Sequence, residues 1–197
     1  MAQKPGDRLG FSGKPWPQYP AEIDGFMKLL ADEGCASYIE VGCRYGDTFH
    51  AVGMALPEGS ALVAVDLPGA KSGFKNKGGH QDSGDYLARA VADLMARGRD
   101  AHMILGDSQE PATVEKAGAF APFDALLIDG DHTAQGVTRD LRNYGPMARL
   151  VAFHDIAGTG KWARQIRPIF EAFAKGRRSE TFIHDGLRRG IGVVWTR

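Results

Sequence analysis

Hydrophobic residues follow two patterns along the chain. Short apolar runs, such as Ala125 to Ile128, alternate with longer stretches in which apolar residues recur every three or four positions. The runs are typical of strands buried on both faces of a parallel sheet, and the recurring spacing is typical of helices that pack on one face. The predicted strands are 37–41, 61–66, 101–105, 125–128, 150–153, 181–183 and 191–195. The predicted helices are 21–33, 48–56, 85–97, a short one after residue 110, one through Val137, Leu141 and Tyr144, and one from Ile166 to Phe173.

The alternation of these elements predicts an α/β fold of the doubly wound, Rossmann-like kind. The last two strands are joined by a short link, His184 to Arg189, which is typical of a hairpin. We therefore expect a mostly parallel sheet of seven strands with one antiparallel edge strand. Proline and glycine crowd residues 1–20, which are predicted to form an N-terminal arm ahead of a single domain at 21–197. The glycine-rich loop 67–80 is longer than a usual connection, so it is either a lid or disordered, and its glycines suggest a lid from Lys71 to His80.

Two of the predicted strands end in acids and imidazoles. The run to Ile128 stops in Asp129 to His132, and the run to Phe153 stops in His154-Asp155. A strand cannot bury such groups unpaired, so they belong at its carboxyl end, where ligands bind in open α/β sheets. A single Asp there would be read as a helix cap or a turn residue. Two such endings in one chain favour a functional site.

The loops after the first three strands also carry candidate binding residues. Gly42 and Gly46 let the backbone come close to a ligand, but their spacing is neither the G-x-G-x-x-G dinucleotide fingerprint nor a P-loop, so no phosphate is expected there. Asp66 ends the second strand, where an acid can accept hydrogen bonds from both ribose hydroxyls. Glu40 lies inside a buried strand and needs a partner. Asp107 to Gln109 can hydrogen bond an adenine edge or cap a helix.

Composition narrows the class of protein. The 197 residues include 24 Lys+Arg and 24 Asp+Glu, a formal net charge of +0, which gives no support for a nucleic-acid partner. Cys35 and Cys43 are too few for a disulfide framework or a cysteine metal cluster. The first residues lack the apolar core of a signal peptide, and no apolar run reaches membrane-spanning length. We therefore expect a soluble, cytoplasmic protein without a membrane partner.

Taken together, the motifs resemble those of class I S-adenosylmethionine-dependent methyltransferases. Glu40 to Gly46 is similar to motif I in the E-[LV]-G-x-x-x-G form of the catechol and caffeoyl-CoA O-methyltransferase group, and Gly106 to Gln109 resembles that group's adenine-contacting segment. Leu127 to Thr133 and Phe153 to Ile156 resemble the I-D-G-D-H-[ST] and F-H-D motifs of a small bacterial branch. The resemblance runs from about Ser37 to Ile156 and includes the order of the strands.

The resemblance implies S-adenosylmethionine as cofactor and assigns roles to the candidate residues. Asp66 would hold the ribose hydroxyls, and Ser108, with Asp107 and Gln109, would contact adenine. The residues expected to line the methionine and ribose region are Glu40, Gly42, Cys43, Arg44 and Gly46, with Asp129 completing the cofactor-binding set.

The same resemblance implies a divalent cation on Asp129, His154 and Asp155 and a catalytic role for Asp129 with His132 as base. Methyl transfer to a hydroxyl needs a deprotonated oxygen in line with the methyl group, and a bound cation lowers the pKa of a hydroxyl. The family usually has an acid where this chain has His154, and imidazole suits zinc, iron or nickel better than magnesium. A weakly held magnesium, a different metal and no metal all stay open.

Three other functions stay open from the sequence. A nicotinamide-dependent oxidoreductase shares the sheet but needs pyrophosphate glycines. A metal-dependent hydrolase would use the acids and imidazoles after the fourth and fifth strands but needs more ligands than can be assigned. A non-catalytic protein that binds S-adenosylmethionine is the third. For the enzyme we expect a small-molecule acceptor, and Trp16 and Tyr19 in the arm would suit a homodimer.

Overall fold

The computed structural model describes residues 6–67, 83–184 and 188–196. Strands and helices alternate through these residues, as their hydrophobic pattern predicts. The strands are β1 (Ser37–Val41), β2 (Ala61–Asp66), β3 (Asp100–Leu105), β4 (Phe123–Ile128), β5 (Ala148–Gly158), β6 (Ser179–Phe182) and β7 (Arg188–Trp195). The helices are α1 (Pro20–Asp32), α2 (Asp47–Ala55), α3 (Ser83–Ala96), α4 (Pro111–Gly118), α5 (Ala134–Tyr144) and α6 (Lys161–Ala174), with a 3-10 turn at Gly145–Met147.

The described strands form one sheet in the order β3-β2-β1-β4-β5-β7-β6. The first five strands in this order are parallel, and β7 pairs antiparallel with both β5 and β6. The predicted seven-stranded, mostly parallel, Rossmann-like sheet is therefore confirmed, with the antiparallel pairing at one edge. The strand that runs against the others, β7, is second from that edge. Apolar Ile191, Val193 and Val194 of β7 are buried, whereas the first three residues of β6 are polar and exposed, a usual protection of an open edge.

Helices cover both faces of the sheet because successive strand residues point to opposite sides. Tyr38 belongs to the apolar core beside α1, α2 and α3, and the next residue, Ile39, belongs to the core beside α4, α5 and α6. The strand order reverses between β1 and β4, where the chain leaves β3 and returns to the middle of the sheet. The crevice beyond the carboxyl ends of strands at such a reversal is the usual ligand site.

The segment before α1 folds against the body of the protein. Leu9 and Pro15 form an antiparallel bridge, and the buried Trp16 donates from Nε1 to Thr48 Oγ1 over 3.3 Å. Ser12 donates from its backbone N and from Oγ to the Asp47 carboxylate, over 2.7 and 2.9 Å. The division into an arm at 1–20 and a domain at 21–197 stays a prediction.

Two further features bear on the predictions. Strand β5 continues to Gly158 instead of ending at Phe153, with an irregular register between His154 and Ala157. The predicted lid from Lys71 to His80 lies outside the described residues. Among the helices of the described residues, none combines the length and apolar character needed to cross a membrane.

Candidate active site

Four side chains predicted from the sequence meet just after β4 and at the irregular part of β5, between His154 and Ala157. Asp129, His132, His154 and Asp155 each offer a ligand atom, and these atoms lie within 4.8 Å of one another. Asp129 Oδ1 is 2.9 Å from His132 Nε2 and 2.8 Å from His154 Nδ1. The Asp155 carboxylate is 3.7 Å from each of the same two nitrogens. We call these four residues the acid–imidazole cluster.

Local backbone structure explains how β4 contributes two members of the cluster. Asp129 follows the last residue of β4, and α5 begins at Ala134, where Thr133 caps the helix by accepting a hydrogen bond from Gly136 N over 3.0 Å. His132 lies three residues after Asp129 in the turn between the two elements, and its Nε2 reaches back to Asp129. The aspartate is therefore free for the cluster, because Thr133 is the cap.

A local irregularity lets β5 contribute two consecutive residues. In a regular strand His154 and Asp155 would point to opposite faces of the sheet. The register shifts between His154 and Ala157, and Asp155 has φ +59, in the left-handed region. Bulges of this kind re-aim side chains next to active sites, and Asp tolerates the left-handed region better than most residues. Both side chains consequently face Asp129.

Gln18 is a member of the site that sequence reasoning missed. Its Oε1 is 2.8 Å from His154 Nε2, and the exposed fractions of Gln18 and His154 are only 4% and 2%. The two residues are 136 positions apart, and no motif in the proline-rich segment marks Gln18 as functional. Both ring nitrogens of His154 therefore have an oxygen partner.

The close carboxylates shift the pKa values within the cluster. Burial alone would lower the pKa of His154, but the charges of Asp129 and Asp155 and the hydrogen bond to Asp129 outweigh it and raise the pKa to about 9. For His132, burial again lowers the pKa, and the hydrogen bond and charge of Asp129 more than offset it, so the pKa is raised. Burial would raise the pKa of Asp129, but the two imidazoles hold it below its ordinary value. Asp129 is thus a carboxylate near neutral pH.

The donor set of the cluster fits a divalent cation. Its donor atoms are 2.8 to 3.7 Å apart within the measured pairs, less than twice a metal–ligand bond of about 2.1 Å, so one ion can contact both atoms of a pair. Two carboxylates with two imidazoles suit manganese, iron, cobalt, nickel or zinc better than magnesium, which prefers oxygen ligands.

The loop after β1 lies directly beside the cluster. Gly42 donates to Val65 O over 2.8 Å and has φ +94. A Cβ at Gly42 would come within 2.5 Å of the Asp129 carbonyl carbon and of Gly130 Cα, so the chain's own backbone already requires glycine there. Gly46 has φ +77, and a Cβ there would meet Leu87 of α3 at 2.9 Å. Internal packing thus accounts for both glycines without a ligand.

Two acids predicted for the cofactor lie near this loop. Asp66 Oδ1 accepts a hydrogen bond from Arg44 N over 3.0 Å. Burial raises the pKa of Asp66 to about 6, although backbone N–H groups of Arg44, Cys43 and Leu67 oppose the shift. Glu40 is buried, and Tyr38 donates to its Oε2 over 2.6 Å, which supplies the partner that the sequence required. Burial raises the pKa of Glu40 to about 8, against the hydrogen bond from Tyr38.

The segment predicted to contact adenine, Asp107 to Gln109, hydrogen bonds with α5 and not with the cluster. Ser108 Oγ donates to Asp140 Oδ1 over 2.7 Å, and Arg139 Nη1 donates to Gln109 Oε1 over 2.7 Å. Asp107 accepts from Gln109 N over 2.9 Å, as in a turn. Asp140 was not predicted. It is fully buried, its Oδ2 has no hydrogen-bond partner among the described residues, and burial raises its pKa to about 6.

Comparisons with known proteins place the chain in a family and show solved structures of similar fold. A family model described as "Methyltransferase domain" matches residues 39–156. A comparison of the sequence with curated proteins found no match. Three similar solved structures are an O-methyltransferase from Bacillus cereus in complex with SAH (14% identity, 90% of this chain and 81% of that chain, TM-score 0.59), the O-methyltransferase TomG from Streptomyces achromogenes with SAM (14%, 90% and 80%, 0.57) and cofactor-bound Rv0187 from MTB (12%, 90% and 80%, 0.64). At these identities the likeness concerns the fold alone.

Proposed function

The chain belongs to the methyltransferase-domain family, whose model spans more than half of its length, and from that membership we propose that it transfers the methyl group of S-adenosylmethionine to a hydroxyl of a small molecule. The predicted membership among methyltransferases is confirmed. The cofactor, the hydroxyl acceptor, the site residues and the cytoplasmic location belong to the proposal.

One observation carries the proposal. The acid–imidazole cluster lies beside the β1–α2 loop at the reversal of strand order, with the backbone of Asp129 in contact with Gly42. In this fold the reversal is the ligand crevice, so a cofactor held at the loop would have the cluster next to it. Two of the similar structures contain SAM or SAH, which supports S-adenosylmethionine as the donor.

On the cofactor side, Asp66 would accept hydrogen bonds from the ribose hydroxyls, and Glu40 and the Gly42–Gly46 loop would face the methionine part. Asp66 accepts hydrogen bonds from backbone N–H groups around the loop, among them Arg44 N on Oδ1 over 3.0 Å. A carboxylate has about four lone-pair sites, so Asp66 keeps acceptor capacity for a ligand. Ser108 Oγ donates its hydrogen bond to Asp140, and its lone pairs can accept a hydrogen bond from the amino group of adenine.

In the acid–imidazole cluster, His132 would take the proton of the acceptor hydroxyl. Asp129 accepts a hydrogen bond from Nε2 of His132. This favours the tautomer that has its proton on Nε2 and a free lone pair on Nδ1. Trp162 packs against the ring, with centroids 5.1 Å apart, and limits its rotation. A divalent cation held by Asp129, His154 and Asp155 would lower the pKa of the acceptor hydroxyl. The deprotonated oxygen would then attack the methyl group in line, as the bond from that carbon to the sulfonium sulfur breaks and S-adenosylhomocysteine leaves.

The first test measures the affinity for S-adenosylhomocysteine by calorimetry. Asp66→Ala removes ribose hydrogen bonds and should weaken binding by about 1–3 kcal/mol. Asp100→Ala is the matched control, because it removes an exposed acid at the start of β3, which lies at the other end of the parallel strands. Equal affinity in Asp66→Ala and wild type would mean that the cofactor does not bind at this loop.

The second test measures turnover with hydroxyl acceptors found by screening, with and without a chelator. His132→Gln should lower turnover by about 10²–10⁴-fold, the usual contribution of a general base, and leave cofactor affinity unchanged. Because the pKa of His132 is raised, the rate should fall as the pH drops through that value, when the imidazole holds its proton. Cofactor binding without methyl transfer to any acceptor would favour a non-catalytic protein, and hydrolysis of a generic ester would favour a hydrolase.

A further inference from the structure

The segment before α1 supplies one polar side chain to the acid–imidazole cluster. Gln18 Oε1 lies 2.8 Å from His154 Nε2, and both side chains are almost fully buried. We propose that Gln18 is a positioning residue, which holds the His154 ring so that Nδ1 faces Asp129 and Asp155 and can bind a divalent cation in place of its proton. This inference rests on the metal-assisted form of the proposed function.

The geometry of the ring decides which nitrogen could contact a cation. Nδ1 lies 2.8 Å from Asp129 Oδ1 and 3.7 Å from Asp155 Oδ1, so it is the nitrogen inside the cluster. A neutral imidazole carries one proton, and a nitrogen that binds a metal cannot keep it. The proton must then lie on Nε2, whose partner must be an acceptor. The Gln18 carbonyl is such a partner, in the way that metal-binding histidines usually donate their second N–H to a fixed oxygen.

The surrounding chain holds Gln18 in place. Pro17 precedes it, and α1 begins with Pro20, so two fixed φ angles flank the position. Trp16 and Tyr19, its buried neighbours, anchor the backbone on both sides, and Trp16 also donates to Thr48. The backbone on both sides of Gln18 is therefore held in place, which limits how far its side chain can move from His154. On this basis the N-terminal segment is a part of the reaction site, and a cation would bind poorly without it.

The experiment titrates the full-length protein with Mn²⁺ and follows the free ion by electron paramagnetic resonance. Gln18→Leu keeps the size of the side chain but lacks the acceptor, and should weaken Mn²⁺ binding by roughly 10- to 100-fold, the usual effect of losing such a partner. Gln18→Glu keeps an acceptor oxygen and should bind Mn²⁺ about as well as wild type. Affinity for S-adenosylhomocysteine, measured by calorimetry, should be the same in all variants.

Ser12→Ala is the matched control, because it loosens the same segment at Asp47 and does not touch His154. Should Gln18→Leu fail to fold, Gln18→Asn gives the same comparison, since its amide is one methylene too short to reach Nε2. Wild-type Mn²⁺ affinity in Gln18→Leu or Gln18→Asn overturns the proposal, as does an equal loss in Ser12→Ala or in Gln18→Glu.

The two binding measurements separate the role of Gln18 from the proposed methyl transfer. A wild-type protein that binds S-adenosylhomocysteine but no Mn²⁺ overturns the role of Gln18 and leaves the methyl-donor site standing. A wild-type protein that binds Mn²⁺ with the expected dependence on Gln18, but no S-adenosylhomocysteine, supports the positioning role and refutes methyl transfer from this cofactor.

Discussion

Gly42 offers a sharp test of the contact between the cofactor loop and the acid–imidazole cluster. Its φ is +94, and a Cβ at this position would lie within 2.5 Å of the Asp129 carbonyl carbon and of Gly130 Cα. These are backbone atoms between a buried strand and a capped helix, so they cannot yield as the end of a flexible side chain would. Gly42→Ala should therefore push Asp129 away from the cluster.

The expected cost of Gly42→Ala has two parts. A side chain in a left-handed backbone conformation costs roughly 1–2 kcal/mol. Forcing an extra carbon into a packed site typically costs about 1–3 kcal/mol more. The sum of about 2–5 kcal/mol is a large share of the stability of a typical domain, about 5–15 kcal/mol, so the variant should fold but unfold at a much lower denaturant concentration.

The assay is urea unfolding followed by circular dichroism, with Gly34→Ala as the matched control. Gly34 also has a positive φ, +63, but a Cβ there would meet no atom within 4 Å. Gly34→Ala should consequently lose only the conformational part, roughly 1–2 kcal/mol. If Gly42→Ala loses no more stability than Gly34→Ala, the close approach of the Asp129 backbone to the loop is refuted.

Two further predictions concern buried acids outside the cluster. The pKa of Asp140 is raised from 3.8 to about 6 by burial, so its contribution to stability is present below about pH 4 and is lost as the pH rises through 6. Asp140→Asn should thus be more stable than wild type at pH 8, by at most about 3 kcal/mol. At pH 4 the two proteins should have similar stability. An equal difference between their urea midpoints at both pH values would contradict this prediction. Glu22, in α1, accepts hydrogen bonds from His184 N and Gly190 N, over 2.9 and 3.0 Å. Glu22→Ala should cost about 1–3 kcal/mol and speed hydrogen exchange at those two amides, whereas unchanged exchange would show that Glu22 does not hold the β6–β7 strands.

Local sequence patterns were enough to predict most of the fold and to single out all four residues of the acid–imidazole cluster. The apolar run before Asp129 and the helical spacing after His132 are properties of neighbouring residues, so strand, turn and helix could be inferred together. The spacing of three between Asp129 and His132 was visible for the same reason. The mostly parallel sheet followed from the alternation of strands and helices along the chain.

The inner position of β7 and the irregular shape of β5 could be known only from the folded sheet. A hairpin was predictable from the short link after His184, but which of its two strands would join β5 depends on the burial available at that edge. Similarly, the sequence His154-Asp155 does not show that both side chains face the same way. That outcome depends on the irregular pairing of β5 with β7 and on the left-handed backbone of Asp155.

Residues that act through distant contacts were beyond sequence reasoning. Gln18 meets His154 across 136 positions, and Asp140 meets Ser108 across 32, so no local spacing relates either pair. For Gly42 the sequence indicated close approach of a ligand, whereas the folded chain brings the backbone of Asp129 to that position. A local sequence pattern shows which face of a helix or strand is apolar. The partners on the polar side depend on how strands are ordered and helices packed, because those contacts form only after distant segments have come together.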